Sequence, residues 1–334
     1  MGNFSGSHID SYEKKLSVRR IYGMCREGRI VFPVIPWTVS PKKTEKISET
    51  VELLLLGVAL PVVYVSERQD GSLVVLDGDD RLRYLVEFLE RDYPVRGMEF
   101  FPELNGCGME EMERKFPQRA SFLYDRWISF QIIEYTTERY LHLQVGNYIG
   151  GWSFTREQGV RNELYGERLE RFLSSMVKEL GRSAWFFSRW NLNRQYMVLR
   201  ILMYRFVFCG EIQNMQEDGM GLQELLDRTV SCIMKRGMLW EEEFGSDLRD
   251  ATRVIGNWER EADFDLTADK GKEQQARKLG YLYNAVWMCR EWRLDGAWGL
   301  RQIAFDEGLW QSIFNDKVNF ANIRRHYYEI RKRL

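Results

Sequence analysis

Residues 74–90 read VVLDGDDRLRYLVEFLE. An apolar run stops at Asp77-Gly78, two further acids and Arg81 follow, and Leu82, Leu85, Val86 and Leu89 then recur at helical spacing. The pattern predicts a strand that hands over to an amphipathic helix through a glycine turn. Such a corner presents first-turn amides and the positive end of a helix dipole, which together make a seat for phosphate. Arg81 adds a two-pronged donor for phosphate oxygens. The carboxylates of Asp77, Asp79 and Asp80 have three readings: they complement the helix end, they hold a divalent cation that bridges phosphates, or they repel a phosphate and abolish the site. A capped corner without a ligand is the plain structural alternative.

Upstream, 17–26 and 47–56 have helical patterns, the second stopped by Gly57, and 30–36 is extended up to a Pro-Trp pair. The runs 61–66 and 72–76 form a hairpin across Gln69-Asp70-Gly71. Downstream, 100–116 reads as irregular, 128–134 as a strand, 137–145 as a helix and Gly150-Gly151 as a loop. Thr155 and Gln158 have the spacing of a capping box. Residues 1–15 read as loose. Beyond about Glu167 only helices are expected, at 168–180, 194–209, 222–236, 247–261, 273–290 and 318–333. The reading is an α+β domain with a small mixed sheet over 16–166, then an all-helical domain over 167–334.

The 334 residues include 48 Lys and Arg against 49 Asp and Glu, so no global field steers the chain to nucleic acid or to an anionic membrane. Apolar residues at 44 % exclude a disordered chain. Cys25, Cys107, Cys209, Cys232 and Cys289 form no CxxC pair, which predicts structural thiols in a reducing, cytoplasmic setting. His8, His142 and His326 are too scattered for a zinc site or a histidine-based nuclease centre. No membrane span is expected, and Gly6 stands where a myristoylation signal needs Ser or Thr.

Residues 47–65, ISETVELLLLGVALPVVYV, followed by LDGDDRL at 76–82, resemble the ParB/sulfiredoxin-like domain of GmrSD-type modification-dependent restriction enzymes. That family carries an Asp-Gly-Gln-Gln-Arg signature after a helix, a strand and a hairpin. The likeness continues through NYIGG at 147–151, Phe154-Thr155 and Arg161-Asn162, and covers about 16–166. It implies a nucleotide site, with Asp77, Gly78 and Arg81 at the motif and Asn147 and Arg161 as further elements, in a DNA-targeting or phage-defence system. Asp79 and Asp80 replace both glutamines, and Val34-Ile35-Pro36 precede Trp37 where the family has a Gln-Arg pair. These changes move the local charge by about three units towards negative, and one unscreened like charge costs on the order of 1–4 kcal/mol at a phosphate.

Three functions follow as expectations. The first is a Mg²⁺-dependent NTPase: Asp77, Asp80 and Arg81 act in turnover, Gly78, Asp79, Arg81, Asn147 and Arg161 hold the nucleotide, and Asp77 and Asp79 hold the metal. The second is a degenerate copy that binds or assembles proteins through aromatic surfaces of its helical domain, the run at 185–190 among them. The third is nucleic-acid binding by the basic end at 324–333. No nuclease centre is visible, and His142, near the motif, reads as core or surface with general base as the functional option.

Overall fold

The computed structural model describes residues 9–33, 41–180, 193–213, 220–261 and 271–334. The Gly2 signal, His8, the segment at 34–37 and the aromatic run at 185–190 lie outside them. The chain divides into two compact units, Met1–Leu164 and Tyr165–Leu334. The architecture is α+β, with one small mixed sheet near the N-terminus and a helical C-terminal region.

In the first unit five strands lie in the order β1-β5-β3-β4-β2. They are β1 (Ser11–Ser17), β2 (Ile30–Val31), β3 (Val63–Glu67), β4 (Leu73–Asp77) and β5 (Trp127–Ile133). β1 pairs antiparallel with β5, β5 parallel with β3, β3 antiparallel with β4, and β4 parallel with β2. β1 falls within the segment expected to be loose. Only Leu16 in it is buried, so no apolar alternation marks it; the ladder to β5 holds it instead. Glu13, Lys14 and Lys15 then charge the sheet edge.

Side-chain alternation sorts β3 and β4 onto two faces. Val63, Val65, Leu73 and Val75 belong to one core with Ile21 of α1 (Val18–Arg26), Val51 of α2 (Pro41–Leu55), Leu85 and Phe88 of α3 (Asp79–Arg91), Met112 of α4 (Met109–Lys115) and Leu123 of α5 (Pro117–Tyr124). α4 occupies ground expected to be irregular; its apolar residues Met109 and Met112 stand one turn apart and both are buried. Val74, Leu76 and Ser66 face the other way and are fully buried, with α6 (Arg139–Gly150) packed on β4. α7 (Phe154–Tyr165) follows. It starts one residue before Thr155, and the Ser153 hydroxyl accepts the Arg156 amide at 3.3 Å, so Ser153 takes the cap expected of Thr155.

The second unit contains α8 (Glu167–Leu180), α9 (Arg194–Phe208), α10 (Leu222–Met234), α11 (Met238–Glu261), α12 (Lys272–Glu291), α13 (Gly296–Ala304), α14 (Glu307–Asn315) and α15 (Phe320–Arg333). α13 and α14 are additions to the expected set; Asp295 caps one through the Trp298 amide at 2.6 Å and Asp306 the other through the Leu309 amide at 2.8 Å. α9 is the axis: every residue from Tyr196 to Phe208 is buried, Arg200 and Arg205 included. α12 lies close against it because Gly280 carries no Cβ, which would stand 2.4 Å from the Tyr204 ring.

A fully buried guanidinium needs partners, and Arg200 has four contacts. It donates to both Glu273 oxygens at 3.0 and 3.1 Å and to the hydroxyls of Tyr204 at 2.9 Å and Tyr196 at 3.2 Å. Burial opposes charge on Glu273, but Arg200 and Arg277 outweigh it and hold its carboxyl below the usual range. Arg277 then donates to the carbonyls of Ile313, Phe314 and Asp316, and Asp316 meets His326, whose Nδ1 contacts the Tyr281 hydroxyl at 2.9 Å. One polar chain thus ties α9 to α12, α14 and α15. Arg200→Met removes one of the two cations that hold Glu273 and leaves Arg277 in place, and denaturant titration should show a loss of about 1–3 kcal/mol; a loss under about 0.5 kcal/mol would mean that the network is incidental.

Candidate functional site

The corner that opens the sequence is built by a β-bulge. Tyr64 pairs with Asp77 and Val65 with Val75, so Leu76 is the extra residue on β4. The bulge takes the Leu76 carbonyl out of regular pairing, and Arg156 of α7 donates to it at 2.6 Å. The chain then turns at Gly78, with φ 87° and ψ 11°, a conformation that favours glycine. A Cβ there would stand 2.8 Å from Nη2 of Arg81 and 3.2 Å from Val63. Gly78 therefore lets Arg81 fold back over the turn.

The three acids do not converge. Asp79 is buried, and its Oδ1 accepts Nη1 of Arg156 at 2.7 Å while Oδ2 stands 3.8 Å from Nε of Arg83. Asp77 is half-buried, 3.8 Å from Nη2 of Arg81. Asp80 is exposed; partial burial of its carboxyl and the neighbouring Asp79 both raise its pKa. Among the described residues no three His, Cys, Asp or Glu side chains gather as a metal site. With Asp79 bound to an arginine, the Asp77 and Asp79 pair does not fit a Mg²⁺ ion.

The expected surplus of negative charge is corrected by the same contacts. Asp77, Asp79 and Asp80 stand against Arg81, Arg83 and Arg156. Arg83 also donates to the Pro33 carbonyl at 2.9 Å and lies over the Phe32 ring. Arg81 is the most loosely held of the three cations: Nη2 reaches the Val62 carbonyl at 3.2 Å and Asp77 only at 3.8 Å.

Asn147 and Gly150 lie inside α6, which runs beyond the expected helix end to Gly150. Gly151, at φ 54°, closes it with its amide on the Asn147 carbonyl at 2.9 Å. Asn147 Oδ1 accepts the Trp152 amide at 3.0 Å, so this side chain fixes the turn. The Trp152 indole fills the notch left by two glycines: a Cβ on Gly146 would stand 2.1 Å from the ring, and one on Gly150 2.6 Å from Nε1. The Gly150 notch also adjoins Asp77 Oδ1, at 3.5 Å. Arg161 is fully buried, donating to Glu157 at 2.7 Å and to Gln158 at 3.1 Å. Trp152 and Arg156 are the site residues that the sequence reading omits.

His142 is buried with Nδ1 on the Ser66 hydroxyl, and burial, with Arg139 nearby, pushes its pKa down to about 4. Neither residue of this pair reaches solvent, so His142 serves the core and not as a base. Burial likewise pushes the Cys25 thiol up to about 12 and Cys209 and Cys289 up to about 11, so these are poor nucleophiles. No family model, curated protein or solved structure matches this chain.

Asp79→Asn should destabilise the first unit by about 2–4 kcal/mol, because Arg156 loses its counter-charge, whereas Asp80→Asn should be neutral or stabilising; equal effects in urea unfolding would reject the division of roles. His142 gives a signed pH effect. Its folded pKa lies below the unfolded 6.5, so the unfolded chain takes the proton first and stability falls as pH drops from 6.5 towards 4. The loss attributable to His142 is about 3 kcal/mol, and His142→Gln should abolish that part of the pH profile; superimposable profiles would refute it.

Proposed function

We propose that the first unit is a nucleotide-binding module of the ParB/sulfiredoxin-like kind, seating phosphate at the β4–α3 corner without a bound metal and without turnover. The observation that carries the reading is Arg81, folded over the Gly78 turn at the start of α3, with a part-exposed guanidinium held by one backbone carbonyl at 3.2 Å and by Asp77 at 3.8 Å. The first-turn amides of α3 have no acceptor within the helix, and a guanidinium beside them completes a phosphate cradle. Asp79 presents little net charge to such a ligand, because Arg156 neutralises it. Asp80 remains as the opposing charge, and its raised pKa means that acidification lowers the opposition. Because the three carboxylates point to different partners and do not converge, the reading assigns no turnover to the corner.

The motif resemblance supplies the biological setting proposed for the module, a DNA-targeting or defence system of the GmrSD type. Titration calorimetry with ATP, GTP and CTP tests the reading. Binding should occur without Mg²⁺, weaken about tenfold or more in Arg81→Ala, strengthen several-fold in Asp80→Asn, and tighten as pH falls. No heat with any nucleotide, or equal affinity in Arg81→Ala, would sink it. The assembly reading would then stand, resting on Met238 and Leu239, which are 77 % and 85 % exposed at the start of α11.

A further inference from the structure

The basic helix end at 324–333 is largely occupied with its own fold. Arg325 pairs with Asp316, Arg333 with Asp306 and Glu329, and Lys332 with Glu329, while Arg331 lies over the Trp292 ring. A different surface of the helical unit gathers an excess of positive charge in a groove. The last turn of α8 and the second half of α11 bound a groove of about 780 Å³, within the size range of ligand sites.

Helical periodicity makes the groove basic. Arg249, Arg253, Gly256 and Arg260 follow one another at i, i+4, i+7 and i+11, so they share one face of α11 over roughly 16 Å of rise. Lys178 faces them from α8. With Glu179 and Asp250 the lining holds four cations against two carboxylates. The two carboxylates are paired: Arg249 meets Glu179 at 2.9 Å and Arg253 meets Asp250 at 2.9 Å, with guanidinium side chains 57 % and 71 % exposed. Exposed pairs of this kind are worth about 0–1 kcal/mol, so either arginine can swing to a stronger anion. Among the described residues, Arg260 donates to the Gly256 carbonyl and the Asn257 side chain of its own helix, and Lys178 pairs with no carboxylate. Gly256 leaves the middle of the row open, with no atom of the described residues within 4 Å of where its Cβ would stand.

We propose that this groove binds phosphate groups spaced along an extended anion. A planar guanidinium pairs with two phosphate oxygens at once, and a row of three on one helix face, with a lysine opposite, suits successive phosphates better than an isolated carboxylate. A single nucleic-acid strand and a free polyphosphate both offer that chemistry. The site is separate from the β4–α3 corner and does not depend on it.

The test uses the full chain and two probes at 50 mM NaCl: a fluorescein-labelled single-stranded 12-mer followed by anisotropy, and inorganic tripolyphosphate as competitor. Wild type should bind the 12-mer with a slope of log affinity against log salt of about −2, as two to three phosphate contacts predict. Arg253→Glu with Arg260→Glu should weaken binding at least tenfold, Arg253→Gln with Arg260→Gln by less, and Lys14→Ala, an exposed cation outside the groove, not at all. Tripolyphosphate that displaces the strand at equal concentration identifies a free polyphosphate as the ligand, and failure to displace identifies the strand. Absence of binding to both probes overturns the proposal, as does binding that survives charge reversal unchanged. A loss seen with Arg81→Ala alone would transfer the phosphate site to the corner and likewise overturn it.

Discussion

A carboxylate at the first helical position, behind a bulged strand and shielded from water, cannot stand alone. Asp79 is that carboxylate, and its pairing with Arg156 organises the β4–α3 corner. One guanidinium does two jobs: Nη1 neutralises Asp79, and Nη2 satisfies the carbonyl that the Leu76 bulge releases from the sheet. The charge and the backbone group would each be costly to leave buried and unpaired. Arg156 in turn sits 5.6 Å from the Trp152 ring, and Trp152 needs the bare backbone of Gly146 and Gly150 to lie where it does. Gly146 and Gly150 of α6, the tryptophan, the arginine and the aspartate therefore form one dependent set.

The same constraint governs the helical unit in a different place. Arg200 is as buried as any residue in the chain, and its guanidinium is held by Glu273 and two tyrosines. Hydrophobic packing alone would let α9 rotate among many similar apolar contacts, since apolar side chains surround it on every side. A bidentate ion pair with fixed geometry selects one rotation. The continuation through Arg277, Asp316 and His326 places α12, α14 and α15 by directional bonds.

Residues with a periodic apolar signal were legible in the sequence: the hairpin β3–β4 with its Gln69-Asp70-Gly71 turn, the amphipathic α3, and the long helices of the second unit. Asp70 shows why the hairpin was clear, since its carboxylate takes both the amide and the hydroxyl of Ser72, a bond local in sequence. β1 was not legible, because an exposed edge strand is specified by its partner and not by its own pattern. Nor was the bulge at Leu76, which depends on register against β3. The role of Arg156 is a contact across 77 positions, and nothing in its neighbourhood marks it. Charge conservation offered the one available signal: three acids at a corner that buries its first turn require cations from elsewhere, and a nearby helix is where to look.

That accounting changes what the Asp-for-Gln replacements mean. Counted along the sequence, Asp79 and Asp80 add two negative charges to a phosphate seat. Counted in space, they behave differently. Asp79 is an internal anion, held by Arg156 and Arg83 at the positive end of α3, where a carboxylate complements the helix dipole. It stabilises the corner instead of projecting charge from it. Asp80 is exposed and keeps its repulsion, and its raised pKa records first the partial burial of its carboxyl and then the neighbouring Asp79. Arg81, one residue further on, retains spare donor capacity because Asp79 takes its hydrogen bond from Arg156 and has Arg83 nearby. One substitution has become part of the scaffold, and the balance between Arg81 and Asp80 sets what the corner can hold.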